Sequence, residues 1–332
     1  MKRKHVLQWH ITHKCNLRCS HCYQDDYVKD LAIDKLKNIF FQYLEFIKHY
    51  NYKGHINFTG GEPFIYEHIF NLFDLCSKYS ITFGILTNGT ILTDEIIDKL
   101  KNYKNLSFIQ VSLDGTKSTH ENIRGINTFN LTLKSIKKLQ KAHIQTMVAF
   151  TCHKDNYKEL PSLIKLVKKN KIDRFWVDRL IPIGDENKQE TNKDKILSTN
   201  EYREVIKTLT KEKQKAKRNP FCKTTIHTNR ALQFCEGSLE FYKCSAGINL
   251  LTILANGDIL PCRRLPIKFG NVLEKNILEL YEQSALIKDL KKEQIPNECN
   301  SCLKADLCKG GAKCLSYALF KDYNRKDYNC YL

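Results

Sequence analysis

A chain of 332 residues has room for one large domain and a smaller one, with ample core. Its hydrophobic fraction of 42% and charged fraction of 27% are ordinary for a globular protein, and no apolar run approaches bilayer-spanning length, so no membrane partner is expected. The net charge of +18 comes from lysine spread over many helical stretches such as Lys211–Arg218, without interleaved stacking aromatics; this argues against nucleic acid and for an acidic peptide partner.

The chain opens Met-Lys-Arg-Lys-His and runs into a short apolar segment, with no long apolar region before a small-residue cleavage site. A cytoplasmic location is expected. In that reducing compartment the fourteen cysteines read as metal ligands or catalytic groups rather than disulfides.

In chain order, β-rich runs fall at Val6–Ile11, His55–Phe58, Thr82–Leu86, Phe108–Leu113, Gln145–Thr151 and Arg174–Asp178. Helical patterns lie between them at Leu31–Tyr50, Tyr66–Tyr79, Asp94–Lys101, Asn130–Lys141 and Tyr157–Asn170. In the fourth, Leu131, Leu133, Ile136 and Leu139 recur near the helical period, with lysines on the other face. The strand runs are nearly continuous in apolar residues, as expected for a parallel sheet covered on both faces. Strand–helix alternation implies right-handed βαβ units, and six strands suit an open, partial α/β barrel. Gly184–Lys195 reads as a linker and Asn200–Lys217 as an exposed helix. Ile248–Leu254, an Asn-Gly turn and Ile259–Cys262 predict a hairpin, followed by a helix near Asn276–Lys291. From Pro296 to Cys330 the chain is cysteine-rich and too poor in core to fold without a metal. These features divide the chain into 1–183, a partial barrel; 184–234, a linker and bridging helix; and 235–332, a small cysteine-rich domain.

Cys15, Cys19 and Cys22 follow the first strand, in the run Thr-His-Lys-Cys-Asn-Leu-Arg-Cys-Ser-His-Cys-Tyr. Their thiolates would project at the carboxyl end of the sheet, where α/β active sites lie. Three thiolates can hold three corners of an iron–sulfur cube and leave one iron open to a ligand. Spacing alone also admits zinc, with His13 or His21 as a fourth ligand.

This pattern resembles the radical S-adenosylmethionine (SAM) superfamily, whose C-x3-C-x-φ-C motif carries an aromatic at φ; His21 stands there in this chain. The resemblance continues in order along the scaffold. It takes in Thr59-Gly60-Gly61-Glu62-Pro63, Thr87-Asn88-Gly89, Ser112-Leu113-Asp114-Gly115, His120 with Arg124, and Arg179 before Ile181-Pro182. It implies that Cys15, Cys19 and Cys22 hold a catalytic [4Fe–4S] cluster that chelates SAM. His21, Tyr23, Gly60, Gly61, Glu62, Asn88, Ser112, Asp114, Arg124 and Arg179 are the implied SAM contacts. In this family the reduced cluster cleaves SAM to methionine and a 5′-deoxyadenosyl radical, which takes hydrogen from a substrate carbon. An electron donor such as flavodoxin or ferredoxin is implied with it.

The later cysteines resemble the SPASM extension of such enzymes, which holds two auxiliary [4Fe–4S] clusters. The match rests on Cys244, Gly257 and Cys262, then Cys299-x2-Cys302-x5-Cys308, Cys314 and Cys330, with Phe269-Gly270-Asn271-Val272 and Gly310-Gly311 alongside. It implies Cys299, Cys302, Cys308 and Cys330 on one cluster. Cys244, Cys262 and Cys314 would bind the other, with Cys235 as candidate fourth ligand. Five residues separate Cys308 from Cys314, where the extension usually has three. The alternative for the segment is structural zinc.

Cys76 reads as a core residue. Cys152 and Cys222 are candidate hydrogen-atom donors to a substrate radical, against a packing role for each. The resemblance implies peptide or protein modification: a thioether or carbon–carbon crosslink, or epimerisation. With five residues before the first strand, a separate leader-recognition protein or the open barrel itself would bind the leader peptide. Formylglycine formation in a sulfatase and modification of a small molecule such as a haem precursor are the enzymatic alternatives; a zinc-bearing nucleic-acid-binding protein is the alternative of another class.

Overall fold

The computed structural model describes residues 2–24, 29–184, 186–227 and 243–332 (the backbone alone for 186–188). Ten strands form one sheet: β1 Lys4–His10, β2 Lys53–Thr59, β3 Thr82–Thr87, β4 Leu106–Ser112, β5 Thr146–Cys152, β6 Arg174–Arg179, β7 Thr225–His227, β8 Leu250–Ile253, β9 Asp258–Leu260 and β10 Gly270–Asn271. Their spatial order is β10-β9-β8-β1-β2-β3-β4-β5-β6-β7. Strands β1 to β6 pair in parallel with their neighbours, β7 joins parallel to β6, and β8 joins parallel to β1, Val6 opposite Leu250. Among the described strands β9 alone is reversed, pairing antiparallel with both β8 and β10.

The helices that cover the sheet are α1 Ile33–His49, α2 Ile69–Lys78, α3 Asp94–Leu100, α4 Lys117–Arg124, α5 Thr128–Lys141 and α6 Leu160–Lys169. Helices α1, α2, α5 and α6 are amphipathic; α1, for example, buries Leu36, Ile39, Phe40, Tyr43, Phe46 and Ile47 at helical spacing. Farther along lie α7 Glu186–Lys193, α8 Thr199–Arg218, α9 Ile277–Gln283, α10 Ala285–Lys291, α11 Ala305–Cys308 and α12 Lys313–Phe320. Helix α8 begins with a capping box between Ser198 and Glu201.

The expected partial barrel of strand–helix units is present, and two details differ from the sequence expectation. The hairpin of the cysteine-rich segment continues the barrel's own sheet through β8. The strands are also not apolar on both faces. Along β1, His5, Leu7 and Trp9 are buried against the helices, whereas Lys4, Val6 and Gln8 point into the barrel and stay partly exposed. In β6, Phe175 and Val177 are buried while Arg174, Trp176 and Asp178 face inward. An open barrel has no second packed layer inside, so its inner positions can be polar and line a cavity. The stretch read as a linker also contains a polar helix, α7. Among the described residues, no helix is long and apolar enough to cross a membrane.

Candidate active site

The cysteine loop, residues 11–24, leaves β1 and folds back over the ends of its neighbours. Gly61 N–H donates to Thr12 O at 2.9 Å and Glu62 N–H to Lys14 O at 2.8 Å. Gly60 has φ +139°, and a Cβ on Gly61 would fall 2.1 Å from Lys14 O. The two glycines are therefore required for close approach to the cysteine loop, where the sequence suggested approach to a ligand. The loop is also tied to β3 and α4. Asn16 donates to Thr90 Oγ1 at 2.8 Å, Asn88 donates to Asn16 Oδ1 at 2.9 Å, and Ser20 N–H donates to Ile123 O at 2.9 Å.

This folding puts Cys15, Cys19 and Cys22 on the wall of one cavity of about 240 Å³ at the carboxyl ends of the strands. His21, Tyr23, Gly60, Gly61, Asn88, Ser112, Arg124 and Arg179 line the same cavity. Burial raises the Cys15 thiol and pushes Cys19 up to about 11. Such thiols suit a cationic metal group, which draws off the proton on coordination. Three donors already point at the sulfurs: Leu17 N–H and Asn88 Nδ2 toward Cys15, at 3.4 and 4.0 Å, and Arg124 Nη1 toward Cys19, at 3.8 Å. Among the described residues, no three His, Cys, Asp or Glu side chains converge as ligands of a single metal ion.

Four expected contacts lie elsewhere. Glu62 is fully buried behind the wall, its carboxylate accepting from Thr87 Oγ1 at 2.7 Å, Asn88 N–H at 2.8 Å and Phe64 N–H at 3.3 Å. It joins β2 to β3 rather than facing an amino group in the cavity. Burial pushes its pKa up to about 7, against the pull of those hydrogen bonds. Asp114 is also fully buried and acts through its neighbours. Its Oδ2 accepts from Arg124 Nε at 2.6 Å and lies 3.0 Å from His21 Nε2, while Oδ1 accepts from Thr151 N–H at 2.9 Å. Burial alone would raise the Asp114 carboxyl, but Arg124 and His21 overrule it and hold it well below the usual carboxylate range. Cys152 has no exposure and packs in the main core. Cys222 follows α8 and donates weakly to Thr224 O at 3.7 Å. Neither thiol lines the cavity, so the sequence-based hydrogen-donor role has no geometric support.

Arg179 lines the cavity, but most of its guanidinium is committed to Asp327 and Asn329 near the C-terminus. Its buried Nε–H has no partner among the described residues, and neither has His21 Nδ1. The sequence did not single out Arg263 and Arg264, which follow Cys262 and enter the same cavity. The Arg263 guanidinium lies 4.3 Å from the Tyr23 ring and donates to Tyr23 O, and Arg264 donates to Asp178 Oδ1 at 2.5 Å. The adjacent pair Arg263-Arg264 beside a candidate ligand cysteine was the available signal.

Below this cavity lies a second chamber of about 410 Å³, sharing Gln8, Leu86, Gln110, Trp176 and Arg264 with it. Cys244, Cys262 and Cys314 stand together on its wall. Cys299, Cys302, Cys308 and Cys330 line a separate pocket of about 220 Å³ with Lys326 and Glu298. The sequence-predicted partition of these seven cysteines thus matches two spatial groups. Cys235 lies outside the described residues.

Comparison with known proteins places this geometry in a family. The radical SAM superfamily model matches residues 9–167, and the SPASM iron–sulfur cluster-binding domain matches residues 244–303. The chain is 26% identical to the AdoMet-dependent heme synthase of Methanosarcina barkeri, over 98% of this chain and 95% of that protein. It is 25% identical to the antilisterial bacteriocin subtilosin biosynthesis protein AlbA of Bacillus subtilis, over 92% of this chain and 65% of that protein. Its fold resembles that of Streptococcus suis SuiB bound to S-adenosylmethionine, with a TM-score of 0.79 and 21% identity over 100% of this chain and 78% of the other. The two domains imply SAM and [4Fe–4S] clusters, and the chain belongs to the radical SAM superfamily of enzymes, in the group that carries a SPASM domain.

Proposed function

We propose that this enzyme uses SAM-derived radical chemistry to modify a peptide or protein. The observation that carries the chemistry is the set of Cys15, Cys19 and Cys22 on one cavity wall with residues from the ends of β2, β3, β4 and β6. A reduced [4Fe–4S] cluster held by Cys15, Cys19 and Cys22 would supply the electron for reductive cleavage of SAM, and with it the means to take hydrogen from a substrate carbon. Asn88 and Arg124 would hold the ligating sulfurs in place, while Gly60, Gly61, Ser112, Tyr23, His21 and Arg179 would surround SAM. Asp114 and Glu62 orient these groups from behind. Residues 1–183 carry this chemistry. Segment 184–234 joins them to residues 235–332, where Cys244, Cys262 and Cys314, with Cys235, and Cys299, Cys302, Cys308 and Cys330 hold two auxiliary clusters.

A peptide substrate is supported by the SPASM domain and by AlbA, a bacteriocin biosynthesis protein; the basic chain favours an acidic peptide. A haem precursor is the second reading, favoured by the near end-to-end match to a heme synthase. Iron and acid-labile sulfide are measured first on anaerobically reconstituted protein; zinc without sulfide would refute the cluster assignment. The protein is then incubated with SAM and reductant, plus a candidate precursor peptide or an iron porphyrin bearing propionates, and products are read by mass. Loss of two hydrogens from the peptide, or deuterium uptake at unchanged connectivity, supports the first reading. Change in the porphyrin alone transfers support to the second.

A further inference from the structure

Two cations on the inner face of the barrel have no counter-ion among the described residues. Lys4 begins β1 and Arg174 begins β6, and both line the amino-terminal end of the lower chamber. Lys53 is paired in register with Lys4 on the adjacent strand. Burial, Lys53 and Arg174 all lower the Lys4 pKa, and no carboxylate opposes them. Like charges gathered at a partly desolvated mouth repel one another until an anion joins them.

The chamber above these cations adjoins the cavity of the three cysteines. Phe108 and Met147 form an apolar wall, and Gln8, Gln110 and Trp176 form the boundary with the cavity of the three cysteines. A ligand held by its acidic end at Lys4 and Arg174 therefore extends along the barrel axis toward that cavity. On the way it passes beside the auxiliary cluster that Cys244, Cys262 and Cys314 on that wall would hold.

We propose that Lys4 and Arg174 form a carboxylate-binding floor that anchors the substrate of this enzyme, so that its acidic end lies at the amino-terminal mouth and its reacting carbon faces the SAM cavity. This rests on the reading that the upper cavity holds SAM. Arginine recognises a carboxylate through paired N–H donors, and lysine adds a point charge. The carboxylate has two sources, an acidic side chain of a peptide or the propionate of a haem precursor, and the chemistry recognised is the same.

The test is calorimetric binding to the anaerobically reconstituted protein with SAM bound. One arm uses a short peptide with a single glutamate and its glutamine counterpart; the other uses coproporphyrin III and its amide. Lys4→Gln and Arg174→Gln should each weaken the acid probe about tenfold, as expected for a lost charge-assisted hydrogen bond, and leave the amide probe unchanged. Lys4 is at the exposed mouth, so its variant tests the idea without threatening the fold. SAM cleavage without substrate should be unchanged in both variants. The proposal is overturned if wild-type protein shows no preference for acid over amide in either arm, or if the variants weaken acid and amide equally. The arm that shows the preference identifies the source. Failure of wild-type protein to cleave SAM refutes the radical reading instead, and is scored separately from the binding difference.

Discussion

Arg179, at the end of β6, and Asp327, near the C-terminus, form a buried bidentate ion pair with contacts of 2.7 and 2.9 Å. Asp327 also accepts from the backbone N–H of Ala312 and of Asn329, and the Arg179 guanidinium sits 4.7 Å from the Tyr202 ring. The pair therefore ties the rim of the barrel to the segment between Cys314 and Cys330.

Breaking the pair from one side should be costly. Arg179→Gln or Asp327→Asn leaves a charge buried without its partner, and each should lower stability by about 3–5 kcal/mol. The double variant should lose clearly less than the sum, because the two share one interaction. Urea titration of the four proteins measures this, and simple additivity would count against the coupling.

Asp114 should matter as much without touching the cavity. Asp114→Asn keeps an acceptor for Thr151 N–H but leaves Arg124 without its charge partner, at a cost of about 3 kcal/mol. It also frees His21, so SAM affinity should fall while iron content is retained. An unchanged SAM dissociation constant would show that His21 and Arg124 need no such support.

Gly61→Ala tests whether the glycine pair serves the cysteine loop. The added methyl would sit 2.1 Å from Lys14 O and force the loop away from β2. Iron and sulfide content after reconstitution should drop severalfold, with the far-ultraviolet circular dichroism spectrum preserved. Full cluster content would mean that the loop can shift without losing its ligands.

Cys152→Ala should behave as a core substitution. The thiol is fully buried among apolar residues, so a loss of about 1–2 kcal/mol in stability is expected from the small cavity left behind. Substrate turnover per cluster should be unchanged. A selective loss of product with normal SAM cleavage would restore the hydrogen-donor role.

Acid should destabilise the fold well above the range of ordinary carboxylates. Burial lowers His5 to about 3, and His55, His120 and His153 each to about 4, from 6.5. Between those values and 6.5 the unfolded chain binds more protons than the folded one. The stabilisation is therefore complete above 6.5 and lost as pH falls, at up to about 1.4 kcal/mol per pH unit for each histidine. Glu62, raised to about 7 from 4.5, acts with the opposite sign, since its folded form takes a proton first as pH falls. Four groups outweigh one, so the urea midpoint should fall between about pH 7 and about pH 5. A midpoint that rises over this interval would contradict the burial of these rings as neutral groups.

Much of the barrel is legible in the chain because its outer face obeys simple periodicities. The six parallel strands and the helices between them appear where apolar residues alternate between strand runs and helical spacing, since burial against the sheet selects those residues directly. The end strand β7 is short and carries little pattern of its own; it is added by pairing with β6, and the pairing of the hairpin strand β8 with β1 was likewise not legible. Helix α4, which carries His120 and Arg124, is almost wholly polar and escaped the same test.

The order of the cysteines and of the glycine, asparagine and arginine motifs was determined by the sequence, because covalent spacing fixes which donors can leave one loop together. The identity of the groups that face the cavity was decided only by tertiary structure. Glu62 and Asp114 belong to the right motifs yet point behind the wall, while Arg263 and Arg264 arrive from a hairpin more than two hundred residues away from the cysteine loop. A strand presents alternate residues to opposite faces, but what lies on each face depends on distant chain. The polar interior of this barrel became evident only when its strands were brought around a shared opening.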